Sequence, residues 1–177
     1  MGQYEQGRRL GVETLARQRR VLGDNHPQTL LSAYILALLL RELGQYEQAR
    51  ELSEDTFTRL RRVRGEDHFH TLGSAIVLAT ILQEVRQYER ARELGEDTLA
   101  RLRRVVGEDH NYTVRSVIYL AAILREVGQY EQARELGEDT LVRLRQVLGE
   151  DHPDTLRSAH TLAPVLADLI EPDQYGG

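Results

Sequence analysis

The segment from Gly128 to Leu156, GQYEQARELGEDTLVRLRQVLGEDHPDTL, decides how this chain is read, because close copies of it recur along the sequence. Gly23, Gly65, Gly107 and Gly149 each open a G-[DE]-[DN]-H-x-x-T segment, and successive glycines stand 42 residues apart. Tyr4, Tyr46, Tyr88 and Tyr130 keep the same interval, each preceded by Gln. A fixed period of this length marks a stacked array whose units bury their apolar faces against one another.

Within one period the chain makes two helices. Tyr4 to Leu22 places Gly7, Leu10, Gly11, Thr14 and Leu15 on one face at i, i+3, i+4 spacing, which predicts a helix of what we term the B type. Gly23 ends it, Asp24-Asn25-His26 turns the chain, and Pro27 suits the first position of the next helix. That A-type helix is expected from Pro27 to about Leu43, closed by Gly44. The same reading predicts B helices at Tyr46–Arg64, Tyr88–Val106 and Tyr130–Leu148, and A helices at His68–Val85, Asn111–Val127 and Pro153 to about Ile170. Eight helices in B-A order leave no room for strands, so the fold class is all-α. The repeats run 2–43, 44–85, 86–127 and 128–169, with 170–177 as a tail, and the chain is expected to form a single array.

Four pairs, Leu36-Ala37, Leu78-Ala79, Leu120-Ala121 and Leu162-Ala163, sit midway in the A helices. After the first three pairs follow Gly44, Arg86 or Gly128, then Tyr two residues on, then Ala49, Ala91 or Ala133. This L-A-x6-G-x-Y-x2-A pattern resembles the tetratricopeptide repeat, with a unit about eight residues longer than that family's usual ~34. The L-G-x-x-H-P-x-T connector makes it most similar to the kinesin light chain subtype and its bacterial relatives. The resemblance implies a right-handed superhelical solenoid of antiparallel helix pairs, with the A helices lining the concave side. Where the family carries a bulky residue four places after the Ala, this chain has Ser53, Gly95 and Gly137, with Gly11 as their counterpart. Glycine at one recurring phase is expected where another backbone comes near.

Composition narrows the function. The 177 residues include 28 acidic and 23 basic side chains, a net charge of −5, and no cysteine, which excludes disulfides and thiolate metal sites. The basic residues are all Arg. The most apolar run, Ala33 to Leu40, falls far short of the ~20 residues of a membrane span. The chain opens with no basic region followed by an apolar one, so a cytoplasmic protein without membrane contact is expected. His26, His68, His110 and His152 belong to different repeats and cannot converge within the ~2 Å that zinc ligation needs; helix entry is their expected role, and no metal or cofactor is expected. The Arg clusters 17/19/20, 59/61/62/64, 101/103/104 and 143/145 lie in the last turns of B helices, where they complement the helix dipole. Each follows an acid at i, i+4: Glu13–Arg17, Asp55–Arg59, Asp97–Arg101 and Asp139–Arg143. A self-compensated outer face with no interleaved aromatics speaks against nucleic-acid binding. Phosphate loops, nucleophile elbows and HExxH motifs are missing, so no enzyme is expected.

The copies differ where function is expected. The B helices are nearly identical (ARELSEDTFTRLRR, ARELGEDTLARLRR, ARELGEDTLVRLRQ), whereas the A helices vary. By the family's geometry the concave positions are Tyr34, Ile35, Leu38 and Arg41, then Ile76, Val77, Thr80 and Gln83, then Ile118, Tyr119, Ala122 and Arg125. The last unit contributes His160, Thr161, Pro164 and Ala167. The resemblance implies a groove that grips extended acidic peptides through polar residues such as Asn; here the corresponding places are apolar, and that cargo does not follow. Three A helices are apolar nearly all round, which calls for cover on every face. We expect a non-catalytic protein-binding module that takes an apolar or amphipathic helix into this groove. Ile76 and Ile118 are expected to tolerate Glu without loss of the fold. The alternatives are a self-association scaffold, or the sensor segment of a larger bacterial NTPase regulator. Self-association would use the open ends, Leu10 and Leu15 at one and Leu162, Leu166 and Leu169 at the other. Pro164 is expected to distort the last helix.

Overall fold

A computed structural model describes residues 2–167 and, among them, eight α-helices and no strand. The chain divides into two compact units, residues 1–87 and 88–177. The first holds α1 (Gly2–Leu22), α2 (Pro27–Glu42), α3 (Tyr46–Arg64) and α4 (Phe69–Glu84). The second holds α5 (Tyr88–Val106), α6 (Asn111–Glu126), α7 (Tyr130–Leu148) and α8 (Pro153–Ala167). Within each unit every helix packs on the next in sequence, and alternate A helices also touch, α2 with α4 and α6 with α8. The expected B-helix ends hold within two residues. The A helices stop one residue early, with Leu43, Val85 and Val127 as caps. Ile170, Leu169 and the Asp173-Gln174-Tyr175 segment lie outside the described residues, and Pro164 stands within α8.

Local chemistry explains the starts of the A helices and the end of α2. His26, His68, His110 and His152 precede the A helices, and each imidazole Nδ1 accepts a hydrogen bond from the backbone N–H two residues on, at 3.1 to 3.2 Å. That satisfies one of the donors a helix start leaves open, the task Ser, Asp or Asn usually perform. The repeating threonine three residues later is also buried, and the Thr113 hydroxyl donates to the Gly107 carbonyl at 2.6 Å. At the far end of α2, Gly44 N–H reaches Arg41 O and Gln45 N–H reaches Leu40 O, both at 2.9 Å. This paired closure requires a left-handed residue, and Gly44 has φ +71°.

Each unit has its own core. In the first, Leu15, Ala33, Leu36, Leu40, Ala49, Val77 and Ile81 pack together. In the second, Leu99, Val117, Leu120, Ala121, Leu124, Ala133, Leu141, Leu162 and Val165 do so. Each large aliphatic side chain so buried contributes about 1.5–3 kcal/mol. The small residues of the L-A pairs and of the B-helix phase set how near the helices come. Ala37, Ala49, Ala121 and Ala133 are 0 to 1% exposed, and Gly11 and Gly95 sit under Leu36 and Leu120.

The charged face departs from expectation in part. Asp55–Arg59 and Asp97–Arg101 pair at 2.8 and 2.7 Å. Among the described residues Glu13–Arg17 and Asp139–Arg143 do not pair. Arg143 turns instead toward Asp109, 3.9 Å away on the loop before α6, a competing carboxylate outside its own helix.

Candidate functional site

In the first unit the open surface of α2 carries Leu31 and Ile35, 44% and 47% exposed, beside half-buried Tyr34 and Leu38. These four lie at i, i+3, i+4 and i+7, one stripe of the helix. Leu31 extends the sequence-based set by one turn, and its spacing from Tyr34 and Ile35 is the signal that finds it. Arg41 ends the stripe. Its guanidinium donates to Thr80 Oγ1 on α4 at 3.2 Å and pairs with Glu42, so its charge is held in place.

Three expected groove residues of α4 belong to the interior. Ile76, Val77 and Thr80 are 3%, 2% and 5% exposed, and Gln83 alone of that set is half-buried. The reason is that α4 is buried from Thr71 through Leu82, a run without a charged side chain. A helix apolar on every side must be covered on every side, and here the protein itself covers it. The expectation that Ile76→Glu spares the fold is therefore corrected.

In the second unit Ile118, Tyr119, Ala122 and Arg125 are half-buried along α6. Ile118 opens into a crevice of about 170 Å³ between α6 and α8. Val114, Ile118, Leu144 and Leu148 supply its apolar lining, and Asp109, Arg115, Asp154 and Arg157 its charged one. Arg115 lies over the Tyr112 ring at 5.6 Å, and Arg157 reaches Asp154 at 3.5 Å. The charged lining comes from a loop and two helices, so no single-helix pattern points to it. Among the A-helix positions of the last repeat, His160 and Thr161 are exposed on α8.

The residues expected at the open ends separate. Leu10 is 57% exposed and Leu166 half-buried, but Leu15 and Leu162 are core, at 4% and 0%. Leu15 and Leu162 lie on the faces their own helices turn toward the nearest neighbours in the chain, which cover them without any further repeat. Leu169 is outside the described residues. The recurring histidines use Nδ1 as cap acceptors, which accounts for their spacing without a metal.

A tetratricopeptide repeat model matches residues 1–62, 30–104, 71–141 and 113–169. The chain belongs to the tetratricopeptide repeat family, whose fold generally serves protein–protein interaction and is typically non-catalytic. Among solved structures it is similar to a kinesin light chain-type protein of Podosopora anserina with nearly identical TPR-like repeats. A single-substitution form of that protein is 29% identical with a TM-score of 0.83, over 93% of this chain and 77% of the other. The form without that change gives 29% and 0.80, over 93% and 78%. BtubC (BKLC) from P. vanneervenii shares the fold at 18% identity and a TM-score of 0.75, over 95% of this chain and 67% of the other. No curated protein matches the chain significantly. Among the described residues no helix is long and apolar enough to cross a membrane.

Proposed function

We propose that this chain is a non-catalytic protein-binding module that holds an amphipathic helix or peptide along its A helices. The observation that carries this reading is the crevice beside Ile118, apolar along its floor and flanked by both signs of charge. An apolar floor takes the anchor side chains of an amphipathic segment, and fixed charges at its edge select the flanking residues. The α2 stripe of Leu31, Tyr34, Ile35 and Leu38 offers a second surface of the same chemistry. Ile76, Val77 and Thr80 take no part. Peptides selected on the immobilised chain from a displayed helical library test the reading. Ile118→Glu and Ile35→Glu change half-buried or exposed positions, so circular dichroism should remain that of the parent while peptide binding is lost. Failure to select any peptide, or binding indifferent to both changes, removes the proposal.

A further inference from the structure

In each unit the loop after the first B helix reaches forward to the second. Asn25 Oδ1 accepts from Arg59 Nη1 at 3.2 Å and from Arg62 Nη2 at 3.1 Å. Asp24 lies 4.0 Å from Arg59 as well. In the second unit Asp109, at the repeat position of Asn25, stands 3.9 Å from Arg143, at the repeat position of Arg59. One repeat before Arg59 and Arg62 come Arg17 and Arg20 of α1; the last loop carries Glu150 and Asp151. All four are exposed, and among the described residues none has a side-chain partner. Residues 168–177 hold no Arg, Lys or His that could serve the two acids.

The packing surfaces divide in the same way. On α7, which packs on α6, Thr140 and Leu144 are buried, at 9% and 2%. On α1 their counterparts are Thr14, which is exposed, and Gln18, which is half-buried, and Leu10 nearby is open. On the A side, Leu30 and Ala37 of α2 are 2% and 1% exposed. Their counterparts on α8 are Leu156, 55% exposed, and Ala163, also exposed. Among the described residues, α1 thus presents an open B-helix face with free cations, and α8 an open A-helix face beside free acids.

We propose that copies of this chain associate head to tail. The α1 helix of one copy packs on α8 of another as α3 packs on α2, and its Arg17 and Arg20 engage Glu150 and Asp151. The B-A alternation then continues across the junction without a break. A head-to-tail contact is open-ended unless its rotation closes a ring. The occupant of each end is therefore a second copy, selected by charge as well as by apolar fit.

Sedimentation and light scattering across concentration test this with two charge reversals, Arg17→Glu/Arg20→Glu and Glu150→Arg/Asp151→Arg. The wild-type chain should gain mass with concentration, and high salt should weaken the gain. Each reversal alone should weaken association at least about tenfold, because it sets like charges together. An equimolar mixture of the two variants should recover it, each reversed head meeting a reversed tail. Circular dichroism checks that these exposed substitutions preserve the helices. A wild type that stays monomeric, a closed dimer indifferent to both reversals, or a mixture that fails to recover overturns the proposal.

Discussion

Gly95 of α5 and Leu120 of α6 lie so close that a Cβ added to the glycine would sit 3.1 Å from Leu120 Cδ1. Gly11 meets Leu36 at the same 3.1 Å, and Gly137 meets Leu162 at 3.4 Å. Ser53 fills this phase in the remaining repeat and is buried. The glycines are thus contact points between paired helices, which offsets their ~1 kcal/mol helix cost. Gly95→Leu should destabilise by about 1–3 kcal/mol through overpacking. Gly95→Ala should stay within about 1 kcal/mol of the parent, since the methyl end of Leu120 yields and the alanine favours the helix. Urea unfolding of both variants reads the difference.

Arg86 occupies the turn position that Gly44 and Gly128 hold elsewhere, with φ +59° against their +71° and +77°. The closing bonds are formed all the same, Arg86 N–H to Gln83 O at 3.0 Å and Gln87 N–H to Leu82 O at 2.8 Å. A left-handed non-glycine residue costs about 1–2 kcal/mol. Glycine returns about 0.5–1 kcal/mol of that through added freedom in the unfolded chain. Arg86→Gly should therefore stabilise by about 0.5–1 kcal/mol, read as a higher urea midpoint with an unchanged slope.

The histidine caps predict a pH dependence. Burial first, then the positive charges of Arg64 and His70, hold the His68 pKa below its ordinary 6.5. The unfolded chain therefore protonates this histidine more readily than the folded one. Its contribution to stability is complete above about 6.5 and declines as pH falls from there through the lowered pKa. Protonation also removes the Nδ1 acceptor that His70 N–H uses. His68→Asn keeps a capping acceptor and should lose less melting temperature than the parent between about pH 7.5 and 5. His110→Ala, with no acceptor left for Tyr112 N–H, should cost about 1 kcal/mol at neutral pH.

Thr80 ties α2 to α4. Its hydroxyl donates to Val77 O at 2.7 Å and accepts from Arg41 Nη1 at 3.2 Å, while the residue is 5% exposed. Thr80→Val keeps the volume but removes the acceptor, and should cost about 1–2 kcal/mol by chemical denaturation. Arg41→Ala combined with Thr80→Val should add less than it does in the wild type, since the shared contact is already gone.

The Arg-rich ends of the B helices should not retain nucleic acid. Asp55 occupies Arg59, Asp97 occupies Arg101, and Glu108 pairs with Arg103 at 3.0 Å. Each pair lowers the field that phosphates would meet. Filter binding with duplex and single-stranded DNA should show no retention at physiological salt. Micromolar affinity with a steep salt slope would contradict this, because counterion release is its signature.

The sequence by itself determined the all-α repeat, the B-helix limits, the histidine entries and a close approach at Gly95, though a leucine side chain makes it where a backbone was expected. Each follows from chemistry within one repeat: spacing, capping, turn conformation and side-chain size. Tertiary structure alone decided which repeat positions remain open. Ile76 and Ile118 are 42 residues apart and equivalent in sequence, yet the first is 3% exposed and the second lines a crevice. Leu10 and Leu15 sit little more than one turn apart on α1, and only the second is buried. Glu13–Arg17 and Asp55–Arg59 have the same spacing, and only the second pairs. A helix specifies its own period and caps, but exposure and ion pairing depend on which neighbours arrive against it, and those neighbours are largely other helices.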